Sequence, residues 1–293
     1  MSVNEFLQEL LDSQKLSGGE LDAIAQNRDE IKAVLTTKFG NEPKIWEAGS
    51  KAKGTMIKES YDLDLVCYFP RDCGRDIKEI YEDVEGVLQA KYVIERKTSA
   101  LRILRLDNNK NAIYSHIDVV PGRFIDEKEE DAFLYISQGE KDWIQTNLDV
   151  HIEHVRKSGC SELIKLVKLW KIRNLVQLKT FILELLVVEF LKGSRTKDNL
   201  ESSFKKVLES LRDDISDMRL EDPANSNNDV CNNWSKSERL RISFEAKESL
   251  ALIGGENAND TEKWKQVFKE KSIEASSASP LVIKDPAKHW CSP

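Results

Sequence analysis

Three carboxylates in two separate segments are the residues of this chain best suited to chemistry. Asp62 and Asp64 stand two apart in Tyr61-Asp-Leu-Asp-Leu-Val-Cys-Tyr68, and Asp118 lies far downstream in His116-Ile-Asp-Val-Val-Pro121. Side chains two apart on a strand share a face, so Asp62 and Asp64 project together while Leu63 and Leu65 take the other side. Two carboxylates held side by side repel unless a cation sits between them, and Mg²⁺ prefers oxygen ligands and bridges protein carboxylates to substrate phosphates. Asp118 is flanked by Ile117, Val119 and Val120. A carboxylate inside so apolar a strand needs a partner or a metal. Together the three are the expected metal ligands for two Mg²⁺ ions, with Mn²⁺ as an alternative, and the expected catalytic residues of a phosphoryl transfer.

The elements that must position these groups follow from patterning. Lys44-Ile-Trp-Glu47 reads as a short strand, and Gly49-Ser50-Lys-Ala-Lys-Gly54-Thr55 as a small-residue turn leading toward a helix. Glycine lets the backbone come close to phosphate, Ser50 adds a hydroxyl, and main-chain N–H groups at a helix start bind anions, so Gly49 and Ser50 are expected at the nucleotide. Upstream, Leu21, Ile24, Ile31, Val34, Leu35 and Phe39 recur at near-helical spacing and stop at Gly40, which predicts a long helix over 20–39. Strands are expected at 64–69, 92–96, 101–106 and 112–120, with a helix over 75–91; on the last strand Asp118 shares a face with His116. From Asn147 the pattern is helical, with segments near 147–157, 161–174, 179–192, 198–216, 235–252 and 260–271. Within 161–171, Leu163, Leu166, Val167 and Trp170 mark the apolar face, and Lys165 and Lys168, three apart, are neighbours on another side. Two such lysines could meet a triphosphate, although a solvated helix face carries a pair of this kind as readily.

The Gly-Ser pair, the spacer to Asp62-x-Asp64 and the later lone Asp118 resemble the signature of the polymerase-β-like nucleotidyltransferase superfamily. The stretch Leu163-Ile-Lys-Leu-Val-Lys-Leu-Trp170, followed by Lys179-Thr-Phe-Ile-Leu-Glu-Leu-Leu186, is similar to the helical half of 2′-5′-oligoadenylate synthetases and of the bacterial cGAS/DncV-like nucleotidyltransferases, the CD-NTases. Glu221-Asp-Pro-Ala-Asn-Ser-Asn-Asn-Asp-Val230 resembles a segment found late in the same group, with Asp229 departing from a final Asn. By composition this last segment is an Asx-rich loop, and no catalytic role is assigned to it. The resemblance implies an α/β (α+β) fold: a nucleotidyltransferase lobe with a mixed sheet over 1–145, including the long N-terminal helix, and a helix bundle over 146–271. A tail over 272–293 follows, and the active site lies in the cleft between lobes. It also implies that Lys165 and Lys168 contact the donor triphosphate, assisted by Thr180 at the start of the next helix.

Composition agrees with a small-molecule enzyme. The chain has 293 residues and a net charge of −7, so it can bury a large core and is a poor nonspecific binder of long nucleic acid. The five cysteines, Cys67, Cys73, Cys160, Cys231 and Cys291, are odd in number and form no Cys-x-x-Cys pair, which disfavours a disulfide framework and a zinc ribbon. His151 and His154 stand three apart, but with no third ligand nearby they read as an amphipathic helix surface. No apolar run is long enough to span a membrane and no signal peptide opens the chain, so a cytoplasmic protein is expected. The polar, proline-broken residues 272–293 read as a tail that could receive an accessory regulatory protein.

The expected function is therefore synthesis of a cyclic di- or trinucleotide messenger from nucleoside triphosphates serving as donor and acceptor. Pyrophosphate leaves, no long nucleic acid is required, and bacterial anti-phage signalling (CBASS) is the setting that the resemblance implies. In this scheme Asp62 and Asp64 hold the donor's metals and Asp118 is the candidate base for the acceptor hydroxyl. The alternatives are linear 2′-5′ oligoadenylate synthesis or modification of RNA, for which Lys51, Lys53 and Lys58 could line a groove, and a nucleotide-binding pseudoenzyme or scaffold.

Overall fold

The computed structural model describes residues 1–104, 116–137, 142–193, 199–232 and 234–269. The first half of the 112–120 strand, the end of the 101–106 strand, Cys291 and the tail over 272–293 lie outside them. Strands β1 (Lys44–Glu47), β2 (Leu63–Phe69), β3 (Val93–Arg96), β4 (Leu101–Leu104), β5 (Ile117–Phe124), β6 (Asp131–Tyr135) and β7 (Trp143–Asn147) form one seven-stranded sheet. Its order is β1-β2-β5-β4-β3, with β6 and β7 continuing from β5. The sheet is mixed: β2 and β5 are parallel, and the other pairs are antiparallel.

Alternation along β2 sorts its side chains. Leu63, Leu65, Cys67 and Phe69 point to the back of the sheet, where they meet Ile24, Ile31 and Leu35 of α2 (Gly18–Phe39) and Ile80, Tyr81, Val84 and Leu88 of α4 (Ile77–Gln89). Asp64, Val66 and Tyr68 are left for the front. Capping boxes start both helices, Ser17 with Glu20 and Asp76 with Glu79, and α2 stops at Gly40 with φ +63°.

The second half is helical, with α5 (Leu148–Ser158), α6 (Ser161–Arg173), α7 (Thr180–Phe190), α8 (Leu200–Asp213), α9 (Lys236–Ile253) and α10 (Thr261–Val267) around one core. Trp170 fills its middle and donates its indole N–H to Ser249 Oγ at 2.9 Å. Two features lay outside the sequence reading. Helix α1 (Val3–Ser13) buries Val3, Leu7 and Leu11 in this helical core, so the first residues pack with the C-terminal half although the sequence reading counts them in the lobe over 1–145. The Asx-rich segment is an antiparallel hairpin of β8 (Glu221–Asp222) and β9 (Asn225–Asp229) rather than a plain loop. Among the described residues no helix is long and apolar enough to cross a membrane.

Candidate active site

Parallel pairing of β2 with β5 sets Asp64 directly opposite Asp118. Asp62 immediately precedes β2 and accepts the His116 backbone N–H at 3.4 Å. The two strands thus bring together carboxylates more than fifty residues apart in sequence. Burial pushes the Asp64 carboxyl up to about 7, with the charges of Asp118 and then Asp62 acting in the same direction, while Lys53 and Lys168 pull it down. Desolvation plus like charge leaves Asp64 short of positive partners.

Asp118 is better provided. Arg102 on β4 is its register partner across the next pair of strands and grips it as a fork, Nε to Oδ1 and Nη2 to Oδ2, both at 2.8 Å. An apolar-flanked carboxylate needs a partner, and here that partner is an arginine that sequence reading overlooked. Its signal is the Leu101-Arg-Ile-Leu104 alternation, which puts Arg102 on the face opposite Leu101 and Ile103. Each Asp118 oxygen keeps a second lone pair, so the carboxylate can still accept a proton.

The turn after β1 presses against Asp64. Gly49 has φ +61°, and a Cβ there would lie 1.6 Å from Asp64 Oδ2, so only glycine fits. Gly49 and Ser50 open the short helix α3 (Gly49–Lys53), and both line the cavity described below with Asp62 and Asp64.

Behind this turn a buried ionic network joins the two halves of the chain. Lys53 Nζ donates to Glu184 Oε2 of α7 at 2.9 Å, Thr55 Oγ1 donates to Glu184 Oε1 at 2.6 Å, and Lys168 Nζ of α6 donates to the Thr55 carbonyl at 2.8 Å. Burial pushes the Lys168 ammonium down to about 8; Glu184 opposes the fall, and Lys171 and Lys53 add to it. Lys171 is held by the Leu178 carbonyl at 3.0 Å and Thr180 Oγ1 at 3.2 Å, and burial also lowers its pKa against the pull of Glu184 and Asp62. Lys165, Lys168 and Lys171 recur every three residues, so each is turned by about 60° from the next. Lys168 and Thr180 line the cavity, Lys165 is not among its lining residues, and Lys171 reaches Thr180 from the opposite side of Lys168. The other lysines weighed for a nucleic-acid groove are all paired: Lys51 with Glu47 at 2.7 Å, Lys53 with Glu184, and Lys58 with Glu20 at 3.5 Å.

Gly49, Ser50, Lys53, Asp62, Asp64, Lys168, Thr180 and Glu184 line a cavity of about 620 Å³, a size typical of small-molecule sites, and Asp118 stands behind that lining across from Asp64. The lining also includes apolar Val66, Tyr68, Val120, Leu134 and Phe181 and polar Thr98, Ser99, Gln145 and Thr146. At another wall stand His151, Asp222 and Asn228. His151 Nε2 lies 2.6 Å from Asp222 Oδ1, and the same carboxylate accepts the Ala224 N–H at 2.9 Å and Asn228 Nδ2 at 3.2 Å. Burial alone would raise the Asp222 carboxyl, but these hydrogen bonds, led by His151, outweigh it and hold its pKa low. His151, read from sequence as helix surface, is thus part of the cavity wall. Asp229, beside them, staples the hairpin by accepting the Leu220 and Cys231 N–H groups at 3.1 and 3.0 Å.

Asp62, Asp64 and Asp118 offer hard oxygen donors, and the deficit of positive charge at Asp64 is what a divalent cation would fill. The set is not preassembled: among the described residues no three His, Cys, Asp or Glu side chains stand ready to hold a metal, and Asp118 is paired with Arg102.

Residues 1–158 match the domain described as the Second Messenger Oligonucleotide or Dinucleotide Synthetase domain. The chain belongs to this family. It is accordingly a nucleotidyltransferase of the kind that makes second-messenger oligonucleotides or dinucleotides. No curated protein matches its sequence. Solved structures share its fold at low identity. CdnC of E. coli MS115-1, solved with ATP, is 16% identical with a TM-score of 0.69 over 90% of this chain and 97% of its own. The same protein in a CdnC:HORMA-deltaN complex is 14% identical at 0.67, covering 91% and 96%. The CD-NTase CdnG of Bradyrhizobium diazoefficiens, solved with GTP, is 14% identical at 0.70, covering 90% and 95%.

Proposed function

We propose that this enzyme makes a cyclic di- or trinucleotide in bacterial anti-phage signalling, and that its chemistry is carried by Asp62, Asp64 and Asp118 beside the Gly49-Ser50 turn. The observation that carries the reading is the register of β2 against β5, which sets Asp64, one of the residues lining the cavity, opposite Asp118. Asp62 and Asp64 would hold Mg²⁺, with Asp118 joining them by sharing its oxygens with Arg102. Bound there, the metal would activate the attacking ribose hydroxyl and neutralise charge on the departing pyrophosphate.

The protein's own groups do the rest. Gly49 and Ser50 receive phosphate oxygens at a turn where the missing Gly49 side chain lets Asp64 stand directly against the backbone. Lys168, already stripped of water, meets the triphosphate as a concentrated charge, and Lys171 supports it through Thr180. For Lys165 the same contact rests on the family resemblance alone. Asp118 takes the proton of the acceptor hydroxyl on an oxygen lone pair that Arg102 leaves open.

The substrates are donor and acceptor nucleoside triphosphates in the cytoplasm, and the pairing of Lys51, Lys53 and Lys58 with carboxylates favours them over long RNA. An accessory regulatory protein at residues 272–293 completes the reading, in line with the HORMA partner in the CdnC complex. The test is a D62N, D64N double variant. It should melt no lower than the parent, bind nucleotide weakly and release no pyrophosphate. Pyrophosphate release at the parent's rate would remove the three carboxylates from the chemistry.

A further inference from the structure

The wall formed by His151, Asp222 and Asn228 has a fixed hydrogen-bonding polarity. Asp222 is buried, at 5% exposure, and its hydrogen bonds keep it ionised, so both its oxygens can only accept. That forces its neighbours. Asn228 must turn its NH₂ to Asp222 Oδ2, where the contact is 3.2 Å, which leaves its carbonyl Oδ1 as the free end. Neutral His151 must carry its proton on Nε2, 2.6 Å from Asp222 Oδ1, which leaves Nδ1 as an acceptor. Neither Asn228 Oδ1 nor His151 Nδ1 has a hydrogen-bond partner among the described residues, and both side chains line the cavity. One carboxylate thus converts two ambivalent side chains into two acceptors.

The same wall connects to the phosphate end. The His151 ring packs edge-on to Phe181 with centroids 5.0 Å apart, and Lys53 Nζ lies 5.1 Å from the centre of the same Phe181 ring. A nucleotide with phosphates beside the Gly49 turn and Lys168 can therefore run past Phe181 and bring its base to His151 and Asn228.

Resting on the nucleotide site proposed above, we infer that His151 and Asn228, polarised by Asp222, read a guanine base. Guanine presents two adjacent donors, N1–H and the N2 amino group, which match two acceptors. Adenine offers its amino group but sets the N1 lone pair against an acceptor, and hypoxanthine lacks the second donor. A buried acceptor left unpaired is penalised, and this is how a hydrogen-bonding site rejects an analogue.

Equilibrium binding of GTP, ITP and ATP to the full chain decides the matter, measured by calorimetry at about pH 8 with Ca²⁺ in place of Mg²⁺ to hold back turnover. GTP should bind roughly tenfold more tightly than either ITP or ATP. Asn228→Ala should bring the GTP and ATP affinities together, chiefly by weakening GTP. Asp222→Asn, which frees both side chains to turn over, should also narrow the ratio while keeping the shape of the wall. Melting temperatures separate folding from recognition: a merely structural role would weaken every nucleotide alike and leave the GTP:ATP ratio unchanged, and that result overturns the inference. Equal binding of the three nucleotides by the parent protein overturns it too, while leaving the nucleotide site standing. If none of the three binds, the nucleotide site itself falls, and this inference with it.

Discussion

Asp64 should make the metal-free protein less stable as pH rises, and Asp64→Asn should abolish that loss. In the unfolded chain the carboxyl titrates near 3.8; in the folded protein burial and the charges of Asp118 and Asp62 lift it to about 7. Between those values the folded state holds a proton that the unfolded state has released. Stability from this group is therefore fully present below pH 4 and declines as pH climbs to about 7. A rise of this size corresponds to roughly 4 kcal/mol, as an order of magnitude. In a chain of this length that is on the order of ten degrees in melting temperature. The assay is thermal unfolding with chelator at intervals from pH 5 to 8.5, for the parent and for D64N. The parent's melting temperature should fall relative to D64N across this window, and Mg²⁺ at pH 8 should raise the parent but not D64N, since a ligand held only by the folded state stabilises it. Parallel curves for the two proteins, with no differential response to Mg²⁺, would refute the reasoning.

Three further outcomes follow from the geometry. Gly49→Ala places a methyl 1.6 Å from Asp64 Oδ2 at φ +61°, so it should cost about 1–2 kcal/mol for the left-handed backbone and, by displacing Asp64, remove Mg²⁺-dependent nucleotide binding in a filter or calorimetric assay. Arg102→Ala strands Asp118 on an apolar strand and should lower stability by about 2–4 kcal/mol in denaturant titrations, with Mg²⁺ restoring part of the loss because a cation replaces the guanidinium. Glu184→Gln removes the negative charge opposite Lys53 and leaves one accepting oxygen where Lys53 and Thr55 used two, so it should destabilise by about 3–5 kcal/mol in the same titrations; adding Lys53→Met, which deletes the stranded charge, should recover much of it.

What the sequence made legible was whatever depends on local spacing. The Asp-x-Asp pair at the start of β2, the glycine turn before it and the apolar faces of α2 and α6 all follow from periods of two or 3.6 residues. Even Asp118 could be singled out, because a charge among Ile117, Val119 and Val120 conflicts with its setting. Pairing across the chain was not legible. Arg102 meets Asp118 only because β4 lies beside β5 in that register, and the same strand-like alternation would arise wherever β4 was placed. Lys171 was passed over for the same reason: three lysines at threefold spacing fix a spread of directions on a helix, and only the packing of α6 against Thr55 and α7 decides which of them are buried. His151 looked like helix surface until the β8–β9 hairpin closed over it with Asp222, a residue more than seventy positions away. Helix α1 carried a local sign, the Ser2 and Glu5 capping box with Val3, Leu7 and Leu11 behind it, yet its place in the helical core is a long-range fact.

The central claim is that Asp62, Asp64 and Asp118 drive nucleotide joining in the cavity between sheet and helices. Its most direct test is incubation of the protein with all four labelled nucleoside triphosphates and Mg²⁺, followed by phosphatase treatment of the products, beside the D62N, D64N variant. The account predicts phosphatase-resistant label and released pyrophosphate from the parent, and neither from the variant. Resistant product formed equally by both proteins would contradict it.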